Sequence, residues 1–304
     1  MLRRLLAVAP TALLVVALVA ALIQLVPGDP VDALLGEQAL PADRAAVRAA
    51  LGLDLPLWQQ VVGYLGGVVQ GQWGESLVSG QPVAALLLAR MPATAWLAIA
   101  AMGVALLVGA GLGVATALAR GRGRAGLELA TLALLATPSF VLGPLLVAGV
   151  AVKLNWLPVS GMQGPLSLIL PALTLGTGLA MVLARFLAES LERVLASEPL
   201  RTATAKGASP WRCLARHAAP LAAGPVVQII FLQVGMVLTG AVLTEAVFGW
   251  PGLGTLLVEA LHQRDYPVLQ GCLLVISLTY IICLWLSDWA MAWLDPRVTH
   301  ATTP

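Results

Sequence analysis

Long apolar stretches constrain this chain more than any other feature. A helix needs about 20 consecutive, mostly apolar residues to cross the hydrocarbon layer of a bilayer. Six stretches meet this requirement: residues 5–26, 93–119, 128–152, 167–189, 222–247 and 268–294. Since helices satisfy their own backbone hydrogen bonds in lipid, these stretches predict an all-α membrane protein with six transmembrane helices.

The composition agrees with an integral membrane protein and excludes a soluble domain. Hydrophobic residues make up 59% of the 304 residues, charged residues make up 11%, and the mean hydropathy is +0.91. The formal net charge of +2 is too small to indicate nucleic-acid binding. The lipid bilayer is therefore a predicted partner, and nucleic acid is not.

Positive charges predict the orientation of the spans, because Lys and Arg accumulate in cytoplasmic loops. Arg3 and Arg4 precede the first span, which is too long for a typical signal-peptide core and is interpreted as a retained anchor. If both termini are cytoplasmic, 12 of the 17 Lys and Arg residues lie inside and 5 lie outside. We therefore expect cytoplasmic N and C termini.

The sequence predicts three parts. Residues 1–92 contain the first span and a long polar region with an acidic excess, expected to form an extracytoplasmic cap with a short amphipathic helix at 41–51. Residues 93–294 contain five spans, with a cytoplasmic loop at about 190–221, and residues 295–304 form a cytoplasmic tail. The cap is too small to bury a core of its own, so a separate enzyme domain is not expected.

Residues 197–225 form the main basic interruption between the later spans, and we call this segment the elbow. Ser197 is a predicted N-cap of a first short helix, and Gly207 is its predicted left-handed stop. Ser209 and Pro210 then suit the cap and first position of a second short helix. Its basic residues are Arg201, Lys206, Arg212 and Arg216. We interpret the elbow as a docking surface for another protein that supplies energy.

Polar residues within the spans are candidates for a translocation pathway. Pro138, between Thr137 and Ser139, is expected to bend the third span, and bent helices either line a path or pack around a neighbour. Gln228 and Gln233 lie inside the fifth span, where an unpaired amide is costly, so they are expected to face protein or water.

Gly109 and Gly113 are spaced four residues apart in the second span. Small residues at this spacing allow two helices to approach closely, although such pairs also arise by chance in glycine-rich helices.

Several kinds of chemistry have no motif in this sequence. Neither Lys153 nor Lys206 ends a phosphate-binding loop, the three histidines form no H-E-x-x-H, and the three cysteines have no metal-ligand spacing. Glu245 and Asp288 lie near span ends, where their carboxylates are expected to reach water, so a proton-coupled carrier is not indicated. An ATP-independent channel or carrier and a membrane enzyme are the alternatives to a subunit that borrows its energy.

The residues of the elbow resemble a known family. Residues 201–208, R-T-A-T-A-K-G-A, are similar to the R-T-A-R-A-K-G-L of the EAA loop in permease subunits of binding-protein-dependent ABC importers. The B-type permeases of dipeptide and oligopeptide importers also share P-G-D-P at 27–30, W-P-G-L-G at 250–254 and R-D-Y-P-V at 264–268. Thr204 and the pair Pro220-Leu221 depart from the family pattern. The 250–254 and 264–267 turns are interpreted as structural joints or as a surface beneath a docked binding protein.

This resemblance implies a fold, a machine and a set of coupling residues. The fold is the type I ABC importer transmembrane domain (MetI-like), in the bacterial inner membrane. The implied partners are a homologous second permease, two cytoplasmic ATPases that bind ATP and Mg²⁺, and an extracytoplasmic solute-binding protein. The chain itself is expected to bind no cofactor or metal and to have no enzymatic activity. The implied substrates are di- or oligopeptides, with glutathione or nickel and other metal chelates as alternatives. The residues expected to couple to the ATPases are Glu198, Arg201, Thr202, Ala203, Lys206, Gly207, Ser209, Pro210 and His217.

Overall fold

The computed structural model describes residues 10–11, 13–19, 31, 35, 40–50 and 54–294, and most of them are helical. Four helices are long and apolar enough to cross a membrane, or up to six if each of two bent helix pairs counts as one span. The prediction of an all-α membrane protein is confirmed. Most of the first predicted span, and both predicted cytoplasmic ends, lie outside the described residues.

The helices follow the predicted order but differ in length. They are α1 (Pro41–Ala50), α2 (Leu57–Val69), α3 (Val83–Leu118), α4 (Gly121–Ala136), α5 (Ser139–Leu146), α6 (Ile169–Leu195), α7 (Glu198–Ala205), α8 (Pro210–Arg212), α9 (Ala219–Phe248), α10 (Leu253–Gln263) and α11 (Tyr266–Leu294). Two π-helical segments, Val147–Lys153 and Cys213–Ala218, and a 3₁₀ turn, Pro165–Leu168, complete the helical structure from residue 41 onward, and residues 10–11 and 13–19 are also helical. The chain forms two compact units: unit one holds residues 1–95 and 250–281, and unit two holds residues 96–249 and 282–304.

A buried carboxylate organises the polar interior of unit one. Asp265 is 3% exposed; its Oδ2 accepts a hydrogen bond from Ser76 Oγ, and its Oδ1 accepts one from the Leu77 backbone N at 3.1 Å. We call this group of three residues the polar clamp. Because hydrogen bonds to a charged acceptor are stronger than neutral ones, the clamp holds together segments 189 positions apart in sequence.

The turn at 250–254 belongs to the same unit and is a joint. Trp250 is buried, and its indole Nε1 donates a 2.8 Å hydrogen bond to the Ala93 carbonyl. The Leu253 backbone N donates to Thr94 Oγ1, also at 2.8 Å. A buried tryptophan is not available to a docked partner, so the structure favours the joint over the docking interpretation of this turn.

Gly109 and Gly113 lie where two helices of unit two pack closely together. A Cβ added at Gly109 or Gly113 would lie 2.8 Å from the carbonyl oxygen of Ala180 or Ala184, respectively. From the opposite helix, a Cβ at Gly176 would lie 2.7 Å from the Ala101 oxygen. The predicted close approach is confirmed, since α3 and α6 meet where only hydrogen fits.

The predicted bend of the third span is a full break. The axes of Gly121–Ala136 and Ser139–Lys153 differ by 98°. Thr137, the C-cap of α4, has an extended conformation (φ −85°, ψ 114°), which a residue before proline favours. Pro138 therefore ends one helix and precedes the next.

Candidate functional site

The first half of the elbow is a short helix with the predicted start. Ser197 occupies the N-cap position of α7 with extended backbone angles (φ −77°, ψ 154°). Its hydroxyl, however, donates to the Val194 carbonyl at 2.6 Å and makes no capping bond to α7. The predicted cap position is confirmed and the predicted cap bond is wrong, since the Ser197 hydroxyl bonds to the end of α6 instead.

Gly207 ends α7 in the predicted left-handed conformation, with φ +81°. The Gly207 N donates to the Thr204 oxygen at 3.0 Å, and the Ala208 N donates to the Ala203 oxygen at 3.2 Å. These two bonds satisfy carbonyl groups that the helix end would otherwise leave free. No described heavy atom lies within 4 Å of a Cβ built at Gly207, so its requirement for glycine is conformational.

The second half of the elbow begins as predicted but does not end as predicted. Ser209 Oγ accepts a hydrogen bond from the Arg212 N at 3.3 Å, which confirms it as a cap. Helix α8 then runs without interruption through the π-helical segment Cys213–Ala218 into α9. The prediction of a second short helix is therefore wrong. Pro220, at the second position of α9, has no N–H to donate, and the wider π-helical segment directly before it accommodates this loss.

The inner side of the elbow is an apolar contact. Leu200 of α7 is 2% exposed and belongs to a buried cluster with Leu191, Leu214, Ala218 and Ala222. Burial of a leucine contributes about 2 kcal/mol, so this contact fixes α7 against α6 and the start of the continuous helix.

The outer side of the elbow presents the predicted coupling residues to solvent. Arg201 Nη1 forms a 3.1 Å ion pair with Glu198 Oε1, and both side chains are largely exposed. Thr202, Lys206, Ser209 and His217 are also exposed, whereas Ala203 is half-buried and the side chain of Pro210 is not described. Trp211 is 70% exposed beside them, and the sequence analysis missed it. The available signal was a tryptophan within a charged segment, directly after the Ser209-Pro210 pair that begins a helix.

The predicted pathway residues do not share one environment. Gln233 is 2% exposed and donates from Nε2 to the Leu179 carbonyl of α6 at 2.8 Å, whereas Gln228 is exposed. Thr137 and Ser139 lie half-buried on either side of the break at Pro138. The expectation that Gln233 faces protein is confirmed, and the pathway itself stays a prediction.

The sequence matches two families along most of its length. Residues 105–300 match the family described as "Binding-protein-dependent transport system inner membrane component", and residues 1–98 match its N-terminal companion family. The chain is 41% identical over 301 residues to the glutathione transport system permease protein GsiC of Salmonella choleraesuis, covering 98% of each chain. It is 39% identical over 300 residues to GsiC of Escherichia coli K12, again covering 98% of each.

The chain belongs to this family of transport permeases.

Solved structures show the fold of the permease. One crystal form of the inward-facing MetNI methionine ABC transporter matches with a TM-score of 0.62 and 15% identity, over 69% of this chain and 96% of that one. An amino acid ABC transporter crystallised with histidines matches with a TM-score of 0.51 and 14% identity, over 70% and 94%. The permease thus has the predicted ABC importer fold. It is a multi-pass inner-membrane protein that works with ATPase and substrate-binding partners.

The prediction that the Glu245 carboxylate reaches water is wrong. The residue has no exposed surface. Helix α9 packs along α6 and α5, so protein covers its last turns. Asp288 has no described side chain. Among the residues that the structure describes, no group of three His, Cys, Asp or Glu side chains could hold a metal ion.

Proposed function

We propose that this permease carries short peptides, with glutathione among them, into the cell. Glutathione is itself a tripeptide, and relatives about two-fifths identical over nearly the whole chain are named as glutathione permeases. These names support the peptide class over nickel or other metal chelates. The solute-binding protein selects the substrate, and the permease provides half of the path.

The working complex contains this chain, a homologous second permease, two cytoplasmic ATPases and an extracytoplasmic binding protein. The chain has no phosphate-binding loop, so ATP and Mg²⁺ bind to the ATPases, and the chain itself binds no cofactor and catalyses no reaction. Both termini and the elbow face the cytoplasm, in line with the distribution of Lys and Arg.

The geometry of the elbow carries this proposal. The buried side chain of Leu200 holds α7 against its neighbouring helices, and Gly207 forms the turn between the two halves of the elbow. The second half then continues into a helix that ends at Phe248. A force that an ATPase applies to the exposed face therefore reaches the membrane-spanning part of α9 through continuous helical backbone. The cations Arg201, Lys206 and Arg212 are exposed, and an acidic partner surface can contact them.

Protection of the elbow from chemical labelling tests both docking and orientation. Thr202→Cys introduces an exposed thiol, and the native Cys213, Cys272 and Cys283 are buried, so background labelling is low. A membrane-impermeant maleimide is expected to label Thr202→Cys in inverted vesicles and not in intact cells, and bound ATPases are expected to protect it.

The matched control is Val78→Cys, at an exposed position in the predicted outer cap. The maleimide is expected to label it in intact cells and not in inverted vesicles. Labelling of Thr202→Cys from outside would overturn the orientation, and labelling unaffected by ATPases would overturn the docking.

Reconstitution tests the transport function itself. Proteoliposomes with the two permeases and the ATPases are expected to take up glutathione or dipeptides when the loaded binding protein and ATP are present. Uptake by this chain alone would instead support the channel or carrier. Uptake of metal chelates without peptides would overturn the substrate class and leave the ABC mechanism intact.

A further inference from the structure

A second feature of unit two has no part in the coupling proposal. It is an open cavity of about 420 Å³ between α3, α4 and α6. One wall carries charged side chains from two helices, including Arg124, Arg185 and Glu189. The other wall is apolar and includes Leu132 and Leu135 of α4. A cavity with a charged part and an apolar part matches an amphipathic ligand.

Most charges in the cavity are already paired. Arg124 donates from Nε to Glu128 Oε1 at 2.7 Å and from Nη2 to Glu192 Oε2 at 3.0 Å. Glu189 pairs with Arg193 on the open surface at 3.1 Å. The guanidinium of Arg185 is different, because it has no hydrogen-bond or ion-pair partner among the residues that the structure describes. Two arginines and three glutamates line the cavity, so its formal charge is −1.

Arg185 also lies close to the end of its predicted span. It precedes the end of the 167–189 stretch by four residues, or about 6 Å along the helix axis, and its side chain is exposed. The adjacent α4 exposes apolar side chains, Leu129 and Leu132, as a lipid-facing helix does. A long cationic side chain at this depth reaches the edge of the hydrocarbon layer, where phospholipid phosphates are the available anions.

We propose that this cavity binds the headgroup of a zwitterionic phospholipid with a primary amine, of the phosphatidylethanolamine type. The lipid phosphate contacts Arg185, and the ammonium donates hydrogen bonds to the carboxylates of Glu128 and Glu189. One acyl chain follows Leu132 and Leu135. The negative net charge of the cavity disfavours anionic lipids, and a quaternary amine lacks the N–H donors that the carboxylates accept.

Native mass spectrometry of the full chain in mild detergent tests this proposal. Dioleoyl phosphatidylethanolamine, phosphatidylcholine and phosphatidylglycerol are added separately at equal concentration, and bound lipid is counted per protein. The ethanolamine lipid is expected to be retained most. Arg185→Gln is expected to lower its apparent affinity about fivefold or more, since a charge-assisted contact is lost.

The matched control is Arg122→Gln, which makes the same charge change on α4 at an exposed residue outside the cavity. It is expected to bind the ethanolamine lipid as the unmodified chain does. Equal loss in both variants, no loss in Arg185→Gln, or equal retention of phosphatidylglycerol would overturn the proposal. Glycerophosphoethanolamine, the headgroup without acyl chains, separates a lipid from a soluble phosphate compound. If glycerophosphoethanolamine displaces the bound lipid at a concentration equal to that of the lipid, the ligand is a soluble compound and the lipid assignment is overturned.

Discussion

The polar clamp and the elbow use polar residues in opposite ways. In the clamp, the carboxylate of Asp265 is buried and is bonded to Ser76 and Leu77 of its own chain. In the elbow, the buried contact is apolar and centres on Leu200, while Arg201 and its neighbours are exposed. A polar group that is satisfied internally fixes a fold, whereas an exposed one stays available to another molecule. Stability and coupling are therefore expected to depend on different residues.

Asp265→Ala is expected to have the largest effect on stability. The substitution leaves the Ser76 hydroxyl and the Leu77 N–H buried without their acceptor, at a cost of about 3 kcal/mol. The melting temperature of the detergent-solubilised chain measures this loss. Asp265→Asn keeps an acceptor oxygen and is expected to lose less. Equal melting temperatures for Asp265→Ala and the unmodified chain would show that the clamp does not stabilise unit one.

Gly207→Val is expected to weaken coupling more than stability. A β-branched residue at φ +81° strains the backbone by about 1–2 kcal/mol, although the space around Gly207 is open. Membrane insertion is expected to persist, while transport and substrate-stimulated ATPase activity fall in the reconstituted importer. Gly207→Asn tolerates the left-handed conformation and serves as the control. Normal coupling by the valine variant would show that the elbow does not transmit force.

Arg201→Ala is expected to leave stability almost unchanged. Its ion pair with Glu198 is exposed, and such pairs contribute at most about 1 kcal/mol. Substrate-stimulated ATPase activity is expected to fall if Arg201 contacts the ATPase. Glu198→Gln breaks the same ion pair but keeps the cation, so it is expected to retain more activity than Arg201→Ala. Equal losses in both variants would assign the effect to the ion pair and not to docking.

Tyr64→Phe is expected to cause no loss of stability near neutral pH and to show its effect at high pH. The Tyr64 hydroxyl is buried, and no described group bonds to it, so its removal near neutral pH leaves stability unchanged or raises it by about 1 kcal/mol. Burial raises the pKa of Tyr64 from 10.0 to about 12. Between these values the unfolded tyrosine ionises and the folded one does not, so its contribution to stability falls as pH rises. Melting curves at pH 9 and pH 11 are expected to differ less for Tyr64→Phe than for the unmodified chain.

Local signals in the sequence predicted the parts of the structure that depend on neighbouring residues. Gly207, Ser209 and Pro138 each act through backbone conformation or a bond a few residues away, and each has the predicted geometry. The apolar stretches predicted the spans for the same reason, since helix length and hydropathy are local properties.

Contacts between distant residues could not be predicted in this way. No local rule connects Ser76 to Asp265, and the burial of Glu245 depends on how α9 packs along other helices. The continuation of α8 into α9 was not predicted, since the sequence analysis expects a second short helix there, whereas the chain adopts a π-helical segment and continues. The Ser197 hydroxyl likewise bonds back to Val194 of the preceding helix and not to α7.

The π-helical segment Cys213–Ala218 changes how this helix tolerates a shortened sequence. Deleting one residue from an ordinary α-helix turns every later side chain by about 100° about the axis. A π turn already contains one extra residue, so a single deletion between 213 and 218 restores α-helical geometry and leaves the azimuth of α9 unchanged. Within a helix that joins the elbow to a membrane span, this is the place where a residue can be lost without misorienting the lipid-facing and protein-facing sides.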